Sequence, residues 1–239
     1  MKSSGSVLIP LLVALTTLCT ATATLATTNP ALAGKKLLYV GASTESAKLA
    51  DEPAKLYLAS LGFKVTFADQ AEDGSRADDQ DIVVISSTIS SRIVAAKYRD
   101  TSAAVVIWET FVADDMGVTG LRQGIDYGEE KKNSPILLVN APHPMQGGLP
   151  NGMVAAHKGK TASLHWGRPA GGATVIATVA GEPEKATILG FERGAMMGGG
   201  IAAPGRRVIL FVNTDTFGEL SLEGLKLVNC AFTWAAGAP

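Results

Sequence analysis

Three short, almost uninterrupted apolar runs constrain this chain most: Lys36 to Val40 (KLLYV), Asp81 to Ser86 (DIVVIS) and Ala104 to Trp108 (AVVIW). Runs of four to six apolar residues bounded by turn signals read as strands buried on both faces, which belong to parallel sheets. Helical spacing lies between the first two, with Ala47, Ala50, Ala54, Tyr57, Leu58 and Leu61 at intervals of three and four. Pro53 interrupts that stripe, so the helix is expected either to kink or to begin near Asp51, and Gly62 is placed to close it. Phe63, Val65 and Phe67 alternate with polar residues as a half-buried strand, and Ser90 or Ser91 can cap a helix running through Arg99. The resulting βαβαβαβ order predicts an α/β fold with a parallel sheet covered by helices.

Past Glu109 the rhythm changes. Residues 110–134 are polar and glycine-bearing, and short strands are expected at Ile136 to Val139, Ala155 to Trp166, Thr174 to Val179, Thr187 to Glu192 and Arg207 to Asn213. They form an antiparallel extension in the C-terminal half, the last strand returning to the parallel sheet. Ser221 to Ala236 closes the chain as a helix with Leu222, Leu225, Val228, Phe232 and Ala235 on one face.

The amino terminus reads as a cleavable export signal. Lys2 precedes an apolar stretch from Val7 to Leu15, and an acid-free region of small residues ends in Ala31-Leu32-Ala33. The expected division is a secretory signal over 1–33 and a single domain over 34–239, destined for the periplasm or the medium. An uncleaved anchor is the rival reading. The expected mature chain has a net charge of −2, which offers no electrostatic footprint for nucleic acid, and no later run is long enough to span a membrane. Cys19 leaves with the signal, so Cys230 cannot form an internal disulfide and is read as a small buried hydrophobe.

The segment HPMQGGLP (His143 to Pro150) and the closing pattern FERGA…RRVILFVN…LEGLKLVNCAFTWAAG resemble ThuA-like proteins. That family, named for trehalose utilisation, belongs to the class I glutamine amidotransferase-like superfamily. The resemblance spans nearly all of 35–236 and implies a flavodoxin-like three-layer sandwich. Family members occur in sugar-utilisation loci or beside exported polysaccharide-degrading modules, and much of the family has no established activity. Amidotransferases of the superfamily place a nucleophilic Cys on the turn after the strand corresponding to AVVIW and carry His-x-Glu after a late strand. Here those places read Glu109-Thr110-Phe111 and Asn213-Thr214-Asp215. With nucleophile and base both missing, glutamine hydrolysis is not expected.

Ligands of open α/β sheets sit outside the carboxyl ends of the strands. The residues expected there for binding are Ser86, Ser87, Ser90, Glu109 and Asn213, the serines supplying hydroxyls and helix-capping groups. Glu109 could act as a general base, as a metal ligand, or as the partner of Arg92. Asp115 and His143 are the candidate catalytic partners, although His143 more simply closes its own turn. Asp114, His165 and Asp215 add possible ligands, but no metal-ligand spacing appears, so neither a metal nor a cofactor is expected. The motifs for dinucleotides, phosphate loops and serine-hydrolase elbows are absent. The leading expectation is an exported domain that binds a small polar, carbohydrate-derived ligand. A hydrolase or lyase acting on a sugar-type substrate through Glu109 is one alternative. An envelope interaction module using the segment Gly194 to Gly200 is the other.

Overall fold

The computed structural model describes residues 28–131, 135–159 and 162–237. The apolar runs form β1 (Lys36–Gly41), β3 (Ile82–Ile85) and β4 (Ala104–Ile107), and β2 (Lys64–Asp69) lies outside β1. These four strands and β11 (Arg207–Leu210) are parallel neighbours in the order β2-β1-β3-β4-β11. Every residue of β3, β4 and β11 is buried, as strands covered on both faces require. The antiparallel extension continues from β11 through β10 (Glu182–Phe191), β9 (Thr174–Val179), β6 (Ile136–Leu138) and β7 (Gly152–Val154). A side branch pairs β8 (Leu164–Gly167) with β10 and with β5 (Tyr127–Glu130).

Alternation along the strands sends Leu37, Tyr39, Val84, Val106 and Leu210 to one face, and Leu38, Val40, Val83, Val105 and Ile209 to the other. On the first face lie α1 (Glu45–Ser60) and α3 (Leu222–Ala235), through Ala54, Leu58, Val228 and Phe232. The second is covered by the one-turn α2 (Ser91–Val94) and by irregular chain carrying Tyr98, Val112, Met116, Val118 and Met197. The architecture is a flavodoxin-like α/β sandwich with an uneven second layer.

Several local expectations are corrected. Helix α1 starts at Glu45, with Thr44 as its cap, and runs unbroken through Pro53. The helix expected through Arg99 is one turn long, because Ala95 takes a φ of +44° that ends it. No strand covers 155–159, and β5 forms within the stretch read as irregular. On α3 the apolar stripe is rotated: Leu222 is exposed, while Leu227, Ala231 and Trp234 are buried.

The boundary expected at Gly34 does not coincide with the edge of the packed structure. Leu32 is fully buried in the same apolar cluster as Leu58, Leu61 and Phe63. The Asn29 amide donates to the Leu61 carbonyl (3.1 Å) and that of Gly34 to Gly62 (2.9 Å). The Asn29 side chain reaches α3, donating to Asn229 Oδ1 (3.0 Å) and Thr233 Oγ1 (2.8 Å). The rest of the expected signal, residues 1–27, falls outside the described residues. Among the described residues no helix is long and apolar enough to cross a membrane.

Candidate functional site

The strand order reverses between β1 and β3, because β1 leads outward to β2 and the chain then returns to β3 on its other side. A parallel sheet opens a crevice at such a point, beyond the carboxyl ends of the two strands. Here those ends supply Gly41 to Thr44 and Ser86 to Thr88, and the segment after β11 supplies Asn213 to Asp215. Thr44, Ser46, Ala47, Ala50, Ser87, Thr88 and Asp215 line a cavity of about 340 Å³ there.

Beneath the crevice lies Asp51, a fully buried carboxylate. Its Oδ1 accepts from the Tyr39 hydroxyl (2.9 Å) and from Ser86 Oγ (2.6 Å), and its Oδ2 accepts from Thr88 Oγ1 (3.0 Å). Ser86 also meets the Thr214 hydroxyl at 3.0 Å, which ties β3 to the segment after β11. Burial pushes the Asp51 carboxyl up from the usual range, against the lowering effect of the three hydroxyls and of Lys55. The same burial, with Asp51 adding to it, raises the Tyr39 phenol well above its ordinary value. Gly41 is required beside this carboxylate, since a Cβ there would lie 2.5 Å from Asp51 Oδ2. Sequence reasoning does not single out Asp51, although it shares a stripe with Ala47, Ala54 and Leu58.

Of the residues expected at the site, Ser86, Ser87 and Asn213 are brought together. Ser87 Oγ accepts from the Thr214 amide (2.8 Å) and donates to Asn213 Oδ1 at 3.5 Å, and Asn213 Oδ1 also accepts from the Asp215 amide (3.0 Å). Ser90 is exposed and sits apart from this cavity, its amide bonded to Gln70 Oε1 (2.6 Å).

Glu109 lies just past β4, only 7% exposed, and its Oε1 accepts from the Phe111 amide (2.8 Å) to cap the turn Thr110–Val112. Burial pushes its carboxyl up to about 7, with Glu129 adding to the rise and the Phe111 bond opposing it. Its charged neighbour is thus a second carboxylate and not Arg92. Neither expected partner of Glu109 joins it. Asp115 lines a separate cavity of about 300 Å³ with Arg99, Asp114 and Thr119. His143 Nδ1 accepts from the Met145 amide (3.2 Å), capping its own turn, and the ring packs 5.8 Å from Trp234.

His165 is buried against the Trp108 carbonyl, and burial lowers its pKa. Within the Gly194 to Gly200 segment Met197 is buried and Met196 is half exposed. Cys230 lines a third cavity of about 380 Å³ with Asn29, Asn229, Thr233 and Trp234, and burial raises its thiol pKa. Among the described residues no group of three or more His, Cys, Asp or Glu is arranged to hold a metal ion.

The chain is similar to a crystal structure described as that of a GMP synthase subunit from Thermoplasma acidophilum, with a TM-score of 0.53 and 12% identity over 85% of this chain and 96% of that one. It also matches the mmIFT52 N-terminal domain at a TM-score of 0.45 and 10% identity, over 84% and 96% of the two chains, too distantly to carry an argument. No family model and no curated protein matches the chain. At 12% identity the first likeness shows the fold alone, and not an activity.

Proposed function

We propose that this chain is an exported ThuA-like domain without amidotransferase chemistry, and that it binds a small polar, carbohydrate-derived ligand in the crevice between β1 and β3. One observation carries the reading: the cavity at the point where strand order reverses is lined by the hydroxyl-bearing residues Thr44, Ser46, Ser87 and Thr88 and by Asp215. Hydroxyls both donate and accept, and a carboxylate accepts, which matches ligands that present several hydroxyls at close spacing. Against amidotransferase chemistry stands Glu109 at the turn after β4, while Cys230 lines a different cavity, away from that turn.

The test is a panel of mono- and oligosaccharides followed by calorimetry and by amide shifts in NMR. Ala50→Leu fills the cavity without removing a side-chain hydrogen bond, so it should abolish binding and leave the melting temperature unchanged. A panel without any binder, or binding that survives Ala50→Leu, sinks the reading.

The Glu109 carboxyl, pushed up to about 7, favours a second reading as a hydrolase or lyase, because a general base works best near the operating pH. That reading requires turnover of a sugar-type substrate that Glu109→Gln abolishes.

A further inference from the structure

We propose that the crevice between β1 and β3 selects a sugar carrying a protonated amine, a hexosamine, over neutral sugars and against anionic ones. The inference rests on the carbohydrate reading of that crevice and names the chemical class of its ligand.

Most hydrogen-bonding groups of the wall are already committed within the chain. Thr88 Oγ1 gives its hydrogen to Asp51 Oδ2 (3.0 Å) and accepts from the Ala42 amide (3.4 Å). Ser87 Oγ accepts from the Thr214 amide (2.8 Å) and turns its hydrogen toward Asn213 Oδ1 at 3.5 Å. A hydroxyl has one hydrogen and two lone pairs, so Thr88 and Ser87 keep only acceptor capacity for a ligand. Thr44 Oγ1 accepts from the Ala47 amide (3.3 Å) as the cap of α1 and lies 3.4 Å from Ser46 Oγ. Asp215 is different. Its amide donates to Asn213 Oδ1 (3.0 Å), but its exposed carboxylate has neither a hydrogen bond nor an ion pair among the described residues. The strongest uncommitted group at the cavity is therefore an anionic acceptor.

The other charges agree in sign. Among the described residues no lysine, arginine or histidine lines the cavity. A second carboxylate, Asp51, lies beneath it and is bonded to Thr88 of the wall. The positive end of α1 reaches the same cavity through Thr44 and Ser46, but Glu45 sits in its first turn and offsets that partial charge. The amides at the start of α1 suit the hydroxyl oxygens of a sugar ring, while Asp215 suits a donor with a full positive charge. A uronic acid or a sugar phosphate would instead meet Asp215 with a like charge and no counter-ion in the wall. The volume of about 340 Å³ is at the small end of the roughly 300–1,000 Å³ usual for ligand pockets, so single sugars are the units to test.

The experiment is calorimetric titration at about pH 6, where amines are protonated, with glucosamine, its N-acetyl form, glucose and glucuronic acid. Glucosamine should bind at least about threefold more tightly than glucose or the uncharged N-acetyl form, as an exposed ion pair allows, and glucuronic acid should bind most weakly. The advantage should shrink as salt is added. Asp215→Asn removes the charge and keeps the size, so the ratio of glucosamine to glucose affinity should fall to about one. Equal affinities in the wild type, tighter binding of glucuronic acid, or an advantage that persists in Asp215→Asn overturns the amine assignment and leaves the crevice reading standing. Glucosamine binding that survives Ala50→Leu lies elsewhere and also overturns the assignment. If other sugars bind and glucosamine does not, the assignment again fails alone; if no sugar binds, the crevice reading fails with it.

Discussion

Replacing Glu109 by glutamine should stabilise the protein above neutral pH and leave it nearly unchanged in acid. The carboxyl moves from an ordinary 4.5 to about 7 on folding, because burial disfavours its charge. Between those two values the folded state keeps a proton that the unfolded chain has released. Stability therefore falls as pH rises through this window, and the loss is complete above about 7. The rise from 4.5 to about 7 corresponds to roughly 3 kcal/mol at about 1.4 kcal/mol per pH unit. The side chain is 7% exposed, so solvent screening takes little from that figure.

Glutamine retains an oxygen for the Phe111 amide and carries no charge, so it keeps the cap and removes the penalty. Urea unfolding of both proteins at pH 4 and pH 8 measures the effect directly. The stability difference between variant and wild type should grow by about 3 kcal/mol from the lower pH to the higher. In a thermal melt at pH 8 this corresponds to an upward shift of roughly 6–12 °C for a chain of this size. A difference that stays constant within about 0.5 kcal/mol between the two pH values refutes the argument, because it would mean that Glu109 titrates as an exposed carboxylate.

Other residues make separate demands. His157 is buried with neither ring nitrogen bonded, and burial lowers its pKa to about 4. It contributes stability above about 6.5 that is lost as pH falls toward 4, so His157→Leu should flatten the acid limb of the stability profile by roughly 3 kcal/mol in urea titrations. Arg207 is fully buried and donates to the carbonyls of Arg99, Thr101, Ala103 and Arg206, so Arg207→Ala should cost about 3–5 kcal/mol; a cost below about 1 kcal/mol contradicts that role. Gly41→Ala should destabilise by about 1–3 kcal/mol, and the double variant with Asp51→Ala should recover part of the loss, since the clash is with Asp51 Oδ2. Leu32→Ala should cost about 2–5 kcal/mol by calorimetry, and melting identical to the wild type would remove residues 29–33 from the core.

The parallel half of the sheet was legible because burial on both faces writes itself as continuous apolar runs, and β3 and β4 fall within two residues of the runs that announce them. The antiparallel side was legible only in part. Strand β9 matches its expected span, but β5 reads Tyr127-Gly-Glu-Glu, whose pairing with β8 fixes a strand that its own composition does not declare. The short α2 fails for a backbone reason: capping serines predict where a helix starts, but not that Ala95 will leave helical space one turn later. At the site, Ser86, Ser87 and Asn213 follow from strand ends, which topology alone brings together. Asp51 does not, because a carboxylate on an apolar helix face is recognised only when its three hydroxyl partners from other elements are known.

The turn after β4 and the crevice between β1 and β3 differ in what they leave free for a ligand. At the turn, the Phe111 amide is already bonded to the carboxylate of Glu109, so that donor is not available to a developing oxyanion. Glu109 therefore satisfies a neighbouring donor from within the chain. In the crevice the buried demand is met one layer lower. Asp51 draws Tyr39, Ser86 and Thr88 toward itself, and Ser87 and Asn213 satisfy the amides of Thr214 and Asp215. With those backbone groups satisfied from within, the rim formed by Thr44, Ser46 and Asp215 can exchange water for a polyhydroxylated ligand without leaving a buried group unpaired. A rigid polar floor beneath a hydroxyl-bearing rim suits recognition more than bond cleavage, which is why the binding reading stands ahead of the catalytic one.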